Sequence, residues 1–186
     1  QIIHSFKTPG NYPAGLTFDG QHLWVSDFRT DKIYELNKKG DVIRSIPSPA
    51  YWPMGLTFDG KYLWCADAKG LIPQGDEYHD GRIFQIDPKD GTVVKTLFAP
   101  TPAPLGLAWD GKILGVDDIH NKLIQFDPQD GTTIKEYPSP DLHPQGITFD
   151  GKYLWVSDRM RNEIYMVDPS RGNVVMITKS PGGYAS

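Results

Sequence analysis

Four residues with metal-ligating side chains lie close together in one segment of the chain: Asp76, Glu77, His79 and Asp80. Carboxylate oxygens and imidazole nitrogens bind hard and borderline divalent cations, so this segment could hold one such ion as a cofactor. No standard ligand spacing accompanies these residues, so a solvated polar loop held by its glycines explains them better. The sequence therefore leaves two interpretations open, a divalent-cation site and a loop without a ligand.

An aspartate recurs at one position of a repeated phrase, as Asp27, Asp67, Asp118 and Asp158. Four carboxylates around an axis could bind a cation or form an acid–base pair. A residue that occurs in every copy of a repeat suits a structural role better, in which each carboxylate accepts backbone N–H bonds from the loop that follows it. We expect the structural role.

Side chains suited to ligand contact or proton transfer occur where the copies of the repeat differ. Histidine transfers protons near neutral pH, and aromatic rings in rigid loops provide contacts for a sugar, a peptide or another planar ligand. The candidate ligand-binding residues are Tyr12, Arg29, Trp52, His79, His120, His143 and Arg159. No residue is assigned a catalytic role.

The phrase that contains these positions occurs four times in the chain. Its glycines are Gly15, Gly55, Gly106 and Gly146, which are 40 or 51 residues apart. A supersecondary unit that repeats every ~40–50 residues is typical of a propeller or a solenoid. The longer spacing reflects extra residues within the segment 69–81.

Each copy of the repeat predicts four short strands. Gly-Leu-Thr-Phe leads into an Asp-Gly hairpin, and the third strand ends at a turn such as Asp87-Pro88-Lys89-Asp90-Gly91. No segment shows helical periodicity, and four-stranded antiparallel sheets repeated radially are the blades of a β-propeller. We predict an all-β fold with a single propeller domain over residues 1–186. Its repeats span approximately 12–50, 51–102, 103–141 and 142–183.

Strand direction predicts which loops lie together. The connections after the second and after the fourth strand of each blade share one face, because successive antiparallel strands alternate direction. We call this the loop face, and it contains all of the candidate ligand-binding residues. Loops on a rigid scaffold are where binding residues accumulate, so we expect the functional site there.

Several repeated residues are predicted to belong to the scaffold. The glycines that open the inner strands suit the crowded axis, where a side chain has least room. Trp24, Trp64 and Trp155 are expected to pack between neighbouring blades. Cys65 aligns with valines in the other copies and is predicted to be a small core residue.

Residues 2–7 predict an extra outer strand, because they align with residues 42–47, which contain most of the predicted fourth strand Asp41–Ile46. Three arrangements follow: a closed four-bladed ring with one surplus strand, half of a two-chain eight-bladed ring, and part of a longer propeller. We favour the small four-bladed ring. An unpaired edge strand also predicts self-association.

Composition narrows the classes of partner. The 186 residues carry a net charge of −4 with scattered basic residues, which argues against nucleic acid, and no apolar run is long enough for a membrane span. The chain starts at Gln1, which fits a mature end after removal of a signal peptide or a trimmed chain. The first alternative favours an extracytoplasmic location.

The repeat resembles a known group of propellers. The phrase Gly-Leu-Thr-Phe-Asp-Gly-x-x-Leu-Trp-Val-Ser-Asp, followed by Lys-Ile-Tyr and an Asp-Pro-x-x-Gly turn, is similar to the superfamily of NHL-repeat proteins, YVTN surface-layer repeats, gluconolactonase-like proteins and streptogramin (virginiamycin B) lyase. The resemblance covers all four repeats and implies the propeller fold. That superfamily holds lyases, lactonases and non-catalytic binding modules, usually with more than four blades.

We therefore expect a non-enzymatic recognition or scaffold module that binds a small molecule, a glycan or a protein on the loop face. The alternative is a metal-assisted lyase or hydrolase resembling streptogramin lyase or the gluconolactonase-like proteins. A third role is structural assembly through the surplus edge strand.

Overall fold

The computed structural model describes residues 2–68, 81–117 and 120–181. Its described strands form four antiparallel sheets of four strands each. The first two sheets contain β1 (Pro13–Phe18), β2 (Leu23–Asp27), β3 (Lys32–Leu36), β4 (Val42–Pro47), β5 (Pro53–Phe58), β6 (Leu63–Asp67), β7 (Arg82–Ile86) and β8 (Val93–Phe98). The other two contain β9 (Pro104–Trp109), β10 (Ile113–Asp117), β11 (Lys122–Phe126), β12 (Thr133–Pro138), β13 (Pro144–Phe149), β14 (Leu154–Asp158), β15 (Glu163–Val167) and β16 (Val174–Lys179).

Each sheet is a meander whose strands pair in chain order, and its strands come from one predicted repeat. We call the sheets blades 1 to 4. The predicted all-β fold of four four-stranded propeller blades is confirmed. Among the described residues, no helix has the length and apolar character needed to cross a membrane.

The Asp-Gly hairpins explain how each inner strand turns into the next. Asp19 Oδ1 accepts the backbone N–H groups of Gln21 and His22 at 2.8 and 2.7 Å, and Gly20 takes a positive φ of 98°. Asp19 Oδ2 accepts the indole N–H of Trp24 at 2.8 Å. Asp59 and Asp150 accept the indole N–H groups of Trp64 and Trp155 in the same way. One carboxylate therefore fixes both the turn and the tryptophan.

The inner strands crowd together at their glycines, as predicted. A Cβ atom on Gly55 would lie 2.6 Å from the carbonyl oxygen of Leu105, and one on Gly106 would lie 2.7 Å from that of Gln145. Contacts this close do not occur for real Cβ atoms, so only glycine allows the strands to approach. These positions set the spacing of the blades around the axis.

The core consists of contacts between the facing sheets of consecutive blades, which we call seams. Trp24 packs against blade 2 beside Leu56, and Trp64 packs against blade 3, where it stacks on Trp109 with ring centroids 6.4 Å apart. Both tryptophans are 1% exposed, which confirms that they pack between blades. A third apolar cluster joins blades 3 and 4 around Tyr137.

Blades 1 and 4 do not form a seam like the other three. The inner strands pack β1 on β5, β5 on β9 and β9 on β13, while β13 and β1 share no comparable packing within the described part of the chain. Leu16 of blade 1 is 64% exposed, whereas the equivalent Leu56 and Leu107 are 2% and 3% exposed. Blade 1 therefore leaves one apolar sheet face uncovered.

Blade 4 also has one uncovered sheet face, on the side that carries Trp155 and Ile164. Trp155 is only half-buried and borders a cavity at the axis, so the expectation that it packs between two blades is not met. Ile164 is also half-buried, although its counterpart Ile83 is fully buried. Both differences have the same cause, because no blade formed by the described residues covers this side of blade 4.

Residues 2–7 form no ladder with any strand in the described ranges. A fourth strand needs the third strand of its own blade as a partner, as β4 needs β3. The described residues contain no third strand for this segment, so the predicted outer strand has no backbone partner here.

Cys65 is fully buried in the seam between blades 1 and 2, which confirms it as a core residue. Burial raises the pKa of its thiol to about 12. The thiol therefore stays protonated near neutral pH and is unreactive.

Candidate functional site

Backbone hydrogen bonds join the two sets of loops that were predicted to share a face. The N–H groups of Phe28, Ala68 and Arg159 donate to the carbonyl oxygens of Tyr12, Trp52 and His143 at 3.3, 3.1 and 3.2 Å, in that order. Each bond links the residue after a second strand to a residue just before an inner strand. The loop face is thus built three times in the same way, in blades 1, 2 and 4.

The repeated aspartates lie at the ends of the second strands and accept hydrogen bonds from the backbone of these loops. The carboxylate of Asp27, which is 1% exposed, accepts the N–H groups of Tyr12, Arg29 and Thr30 at 2.8, 3.1 and 3.0 Å. Asp158 does the same in blade 4, where it accepts the N–H groups of His143, Met160 and Arg161 at 2.8–2.9 Å. Asp67 accepts those of Tyr51 and Trp52 in blade 2.

These contacts assign a structural role to Asp27, Asp67 and Asp158, since their oxygens are aimed at backbone donors rather than at a common ion. Burial alone would raise the pKa of Asp27, but the hydrogen bonds from Tyr12, Thr30 and Arg29 outweigh burial and lower it. Asp118 lies outside the described residues. The loops of the face are consequently fixed by buried carboxylates that accept backbone N–H groups.

Tyr12 and Arg29 form the best-defined candidate contact on the loop face. The guanidinium carbon of Arg29 lies 4.9 Å from the ring centroid of Tyr12, and the Tyr12 ring also packs on Phe28 with centroids 5.1 Å apart. Tyr12 is 44% exposed and Arg29 is exposed. An aromatic ring and a cation are thus held together at the surface.

The other predicted residues are distributed over the remaining blades. Trp52 is half-buried in blade 2, and His120 is exposed in blade 3. His143 is half-buried and Arg159 is exposed in blade 4, joined by their backbone bond. The candidate cation ligands Asp76, Glu77, His79 and Asp80 lie outside the described residues.

A cavity of about 390 Å³ opens at the axis beneath the loop face. All four inner strands line it from their second residues onward, including Ala14, Met54 and Gln145. These follow Tyr12, Trp52 and His143 by two positions in the chain. Ligand sites are commonly apolar cavities of ~300–1,000 Å³ with a few polar groups at the rim.

Sequence reasoning missed a polar cluster on blade 4. The Tyr165 hydroxyl donates to Asp141 or Glu163, at 2.9 and 2.7 Å, and Arg161 pairs with Asp141 at 2.6 Å. Burial and the two carboxylates raise the pKa of Tyr165 well above its usual range. Asp141 is at least 20 residues from Arg161, Glu163 and Tyr165 in the chain, so no sequence spacing revealed the cluster.

A second missed cluster lies at the hairpin end of blade 1, away from the loop face. His22 Nδ1 lies 2.7 Å from Glu35, whose other oxygen accepts Arg44 Nε at 2.6 Å, and Asp19 is close by. Asp19 and Glu35 already have donors, and Arg44 supplies a positive charge. This arrangement is satisfied as an ion-pair network.

Solved structures with the same fold were found among known proteins. Glutaminyl cyclase from Myxococcus xanthus superposes with a TM-score of 0.75 at 16% identity, covering 91% of this chain and 71% of that chain. A chain of the nidogen–laminin complex gives 0.69 at 17% identity, covering 92% and 65%. Virginiamycin B lyase from Staphylococcus aureus gives 0.62 at 21% identity, covering 95% and 58%.

These comparisons confirm the predicted propeller fold. The chain spans between 58% and 71% of the length of those three chains. No family model matches the chain, and no curated protein matches it. The more specific NHL and YVTN repeat types stay predictions.

Proposed function

We propose that this protein is a recognition module that binds a ligand or a protein on its loop face. The observation that carries the proposal is the Tyr12–Arg29 pair, which is exposed on loops whose backbone is tied to the buried carboxylate of Asp27. Contacts that are fixed before binding lose less conformational entropy when a partner arrives. This pair is therefore suited to act as an anchor.

The chemistry of the face favours partners with planar and anionic groups. An exposed ring accepts stacking by a sugar or a peptide side chain, and a guanidinium donates paired hydrogen bonds to a carboxylate. Arg159 adds a second exposed cation on blade 4, and His143 lies beside it. An acidic peptide, an acidic glycan and a small carboxylate all satisfy these groups.

The test is a screen of the full chain on a peptide array and a glycan array, followed by titration of the strongest probe. We expect Tyr12→Ala and Arg29→Ala each to weaken binding of that probe by about tenfold, as for anchor residues of an interface. Lys39→Ala is the matched control, since Lys39 is exposed in a turn at the opposite end of blade 1. Equal affinities for all four proteins would contradict the proposal.

A metal-assisted lyase or hydrolase is the second candidate. It is supported by the likeness in fold to a lyase and to glutaminyl cyclase, and by the ligand types of Asp76, Glu77, His79 and Asp80 in the sequence. Elemental analysis of the purified protein and melts with and without a chelator test it. An unchanged melting temperature, together with no bound metal, would exclude a resident cation.

A further inference from the structure

The two uncovered sheet faces of blades 1 and 4 border a single gap. Blade 1 exposes Leu16 and Phe18, which are 64% and 45% exposed, and blade 4 presents Trp155 and Ile164. Leu16, Trp155 and Ile164 line the same cavity of about 390 Å³, so the two faces lie on either side of one opening. Apolar faces of this kind mark an interaction surface.

Residues 2–7 already lie beside this gap in the place of an outer strand. Phe6 matches Ile46 in the repeat, and its ring fills the space over Gly40 where a Cβ atom would project. Ile46 takes the same place over Gly91 of blade 2, with 3.1 Å between its Cβ and a Cβ built on that glycine. The segment therefore sits on blade 1 as the fourth strand of a preceding blade would.

Each formed seam carries a hydrogen bond from an outer-strand cation to the next blade. The bonds run from Arg44 to the carbonyls of Pro88 and Lys89, from Lys95 to those of Pro128 and Gln129, and from Lys135 to those of Pro169 and Ser170. Blade 4 has Met176 at the position of the cation, and blade 1 has Lys38 and Lys39 in the corresponding turn. Blade 4 therefore lacks the group that would bond to blade 1.

We propose that the gap binds a three-stranded antiparallel β-sheet, which pairs its outermost strand with residues 2–7 and so completes a blade between blades 4 and 1. Such a sheet gives the backbone of residues 2–7 the ladder partner that it lacks, which is recognition by strand addition. One face of the sheet needs apolar side chains to cover Trp155 and Ile164. Its other face needs them to cover Leu16 and Phe18.

A second copy of this chain fits the gap less well than a three-stranded sheet. In a two-chain ring, blade 4 of one copy would pack on blade 1 of the other, so Thr178 of β16 would compete with Phe6 for the place over Gly40. Met176 would again face the turn of Lys38 and Lys39 without a hydrogen bond. The second copy is accordingly an alternative outcome of the test.

The chain's own strands β1 to β3 provide a probe with a defined register. In blade 1, Ile33 lies opposite Ile46 and Glu35 lies opposite Arg44. A copy of these strands would place Ile33 opposite Phe6 and Glu35 opposite His4. The sequence Lys179–Tyr184 has the same Lys-[Ser/Thr]-Pro-Gly-x-Tyr pattern as Lys7–Tyr12, so a copy of residues 15–37 appended after Ser186 continues the repeat in phase.

Amide hydrogen exchange of residues 2–7 is measured in the chain and in the extended chain, together with solution mass by light scattering. We expect exchange at the rate of an unstructured peptide in the chain, and exchange about 100-fold slower in the extended chain. The matched control is the same extension with Ile33→Pro in the appended copy, which cannot form the third strand and should restore fast exchange.

The same exchange measurement on the unextended chain with a synthetic peptide of residues 12–37 keeps the test independent of the folding of the extended protein. Fast exchange of residues 2–7 in both formats would overturn the proposal. Slow exchange in the unextended monomer would show that the ring closes by itself, and slow exchange in a dimer would assign the gap to a second copy.

Discussion

At the scale of the residue, buried carboxylates determine the shape of the loop face. Asp27 and Asp158 each accept three backbone N–H groups from two different loops, so one side chain fixes both loops at once. A buried N–H group without an acceptor costs ~1–3 kcal/mol, and this penalty keeps the loops in place. The backbone that carries the exposed side chains of Tyr12 and Arg29 is therefore held in a fixed position.

The first prediction concerns the removal of one of these carboxylates. Asp27→Ala leaves the N–H groups of Tyr12, Arg29 and Thr30 without their acceptor, so we expect the free energy of unfolding to fall by about 2–4 kcal/mol. Asp41→Ala is the control, because Asp41 is exposed and its loss should change stability by less than about 0.5 kcal/mol. Urea denaturation measures both, and equal effects would contradict a special role for Asp27.

The second prediction concerns pH. Hydrogen bonds hold the pKa of folded Asp27 below its unfolded value of about 3.9, so its contribution to stability is complete above that value and is lost as the pH falls through the folded pKa. The difference in melting temperature between the native protein and Asp27→Asn should be constant from about pH 7 to 5 and shrink below about pH 4. A difference that grows in acid would refute this sign.

At the scale of the element, stability depends on how many of a blade's faces are covered. Blades 2 and 3 have neighbours on both sides, whereas blades 1 and 4 each have one apolar face without a neighbour in the described part of the structure. The same residue type in the same strand position therefore contributes differently in different blades. Trp64 and Trp155 are the clearest pair.

The third prediction compares these two tryptophans. Trp64→Ala removes a ring that is 1% exposed and stacked on Trp109, so it should cost about 3–5 kcal/mol. Trp155→Ala removes a half-buried ring that borders the axial cavity, and we expect less than half of that loss. Both variants lose the same bond to a hairpin aspartate, which cancels in the comparison. Equal losses in chemical denaturation would indicate that Trp155 is covered in solution.

The fourth prediction tests the cation bonds across the seams. Lys95→Met removes the hydrogen bonds to the carbonyls of Pro128 and Gln129 and should destabilise the protein by about 0.5–1.5 kcal/mol. The reciprocal variant Met176→Lys should change stability by less than about 0.5 kcal/mol, because no blade in the described structure presents carbonyl groups to this position. A clear gain from Met176→Lys would mean that blade 4 contacts blade 1.

At the scale of the whole molecule, the repeat made the fold predictable, because an in-phase phrase with Asp-Gly turns fixes strand order, hairpins and the sharing of loops between faces. Because the four copies of the repeat are so similar, the sequence did not predict the gap between blades 4 and 1. Trp155 has the same sequence context as Trp24 and Trp64, although no neighbouring blade covers it in the described part of the structure. Only the positions where a copy departs from the repeat indicate the gap. The clearest is Met176 of blade 4, where blades 1 to 3 have the cations Arg44, Lys95 and Lys135.

The candidate site was predictable only in part. The position of Tyr12, Arg29 and Trp52 on one face follows from strand direction, which the sequence pattern provides. The pairing of Arg29 with the Tyr12 ring does not, because it depends on side-chain packing between residues 17 positions apart. The contact of His22 with Glu35 likewise requires the register in which Leu23 lies opposite Leu36.

The fifth prediction compares amide protection in an inner blade and in a terminal blade. Strands β7 and β15 are both third strands with ladder partners on each side, so their backbone hydrogen bonding is equivalent. They differ in burial, since Ile83 of β7 is fully buried and its counterpart Ile164 of β15 is half-buried.

In an array whose blades are stabilised mainly by their neighbours, a terminal blade opens at lower free energy than an inner blade. Native-state hydrogen exchange should therefore be at least about tenfold slower for the amides of β7 than for those of β15. Equal protection of the two strands in a monomer would instead indicate a ring closed on all sides.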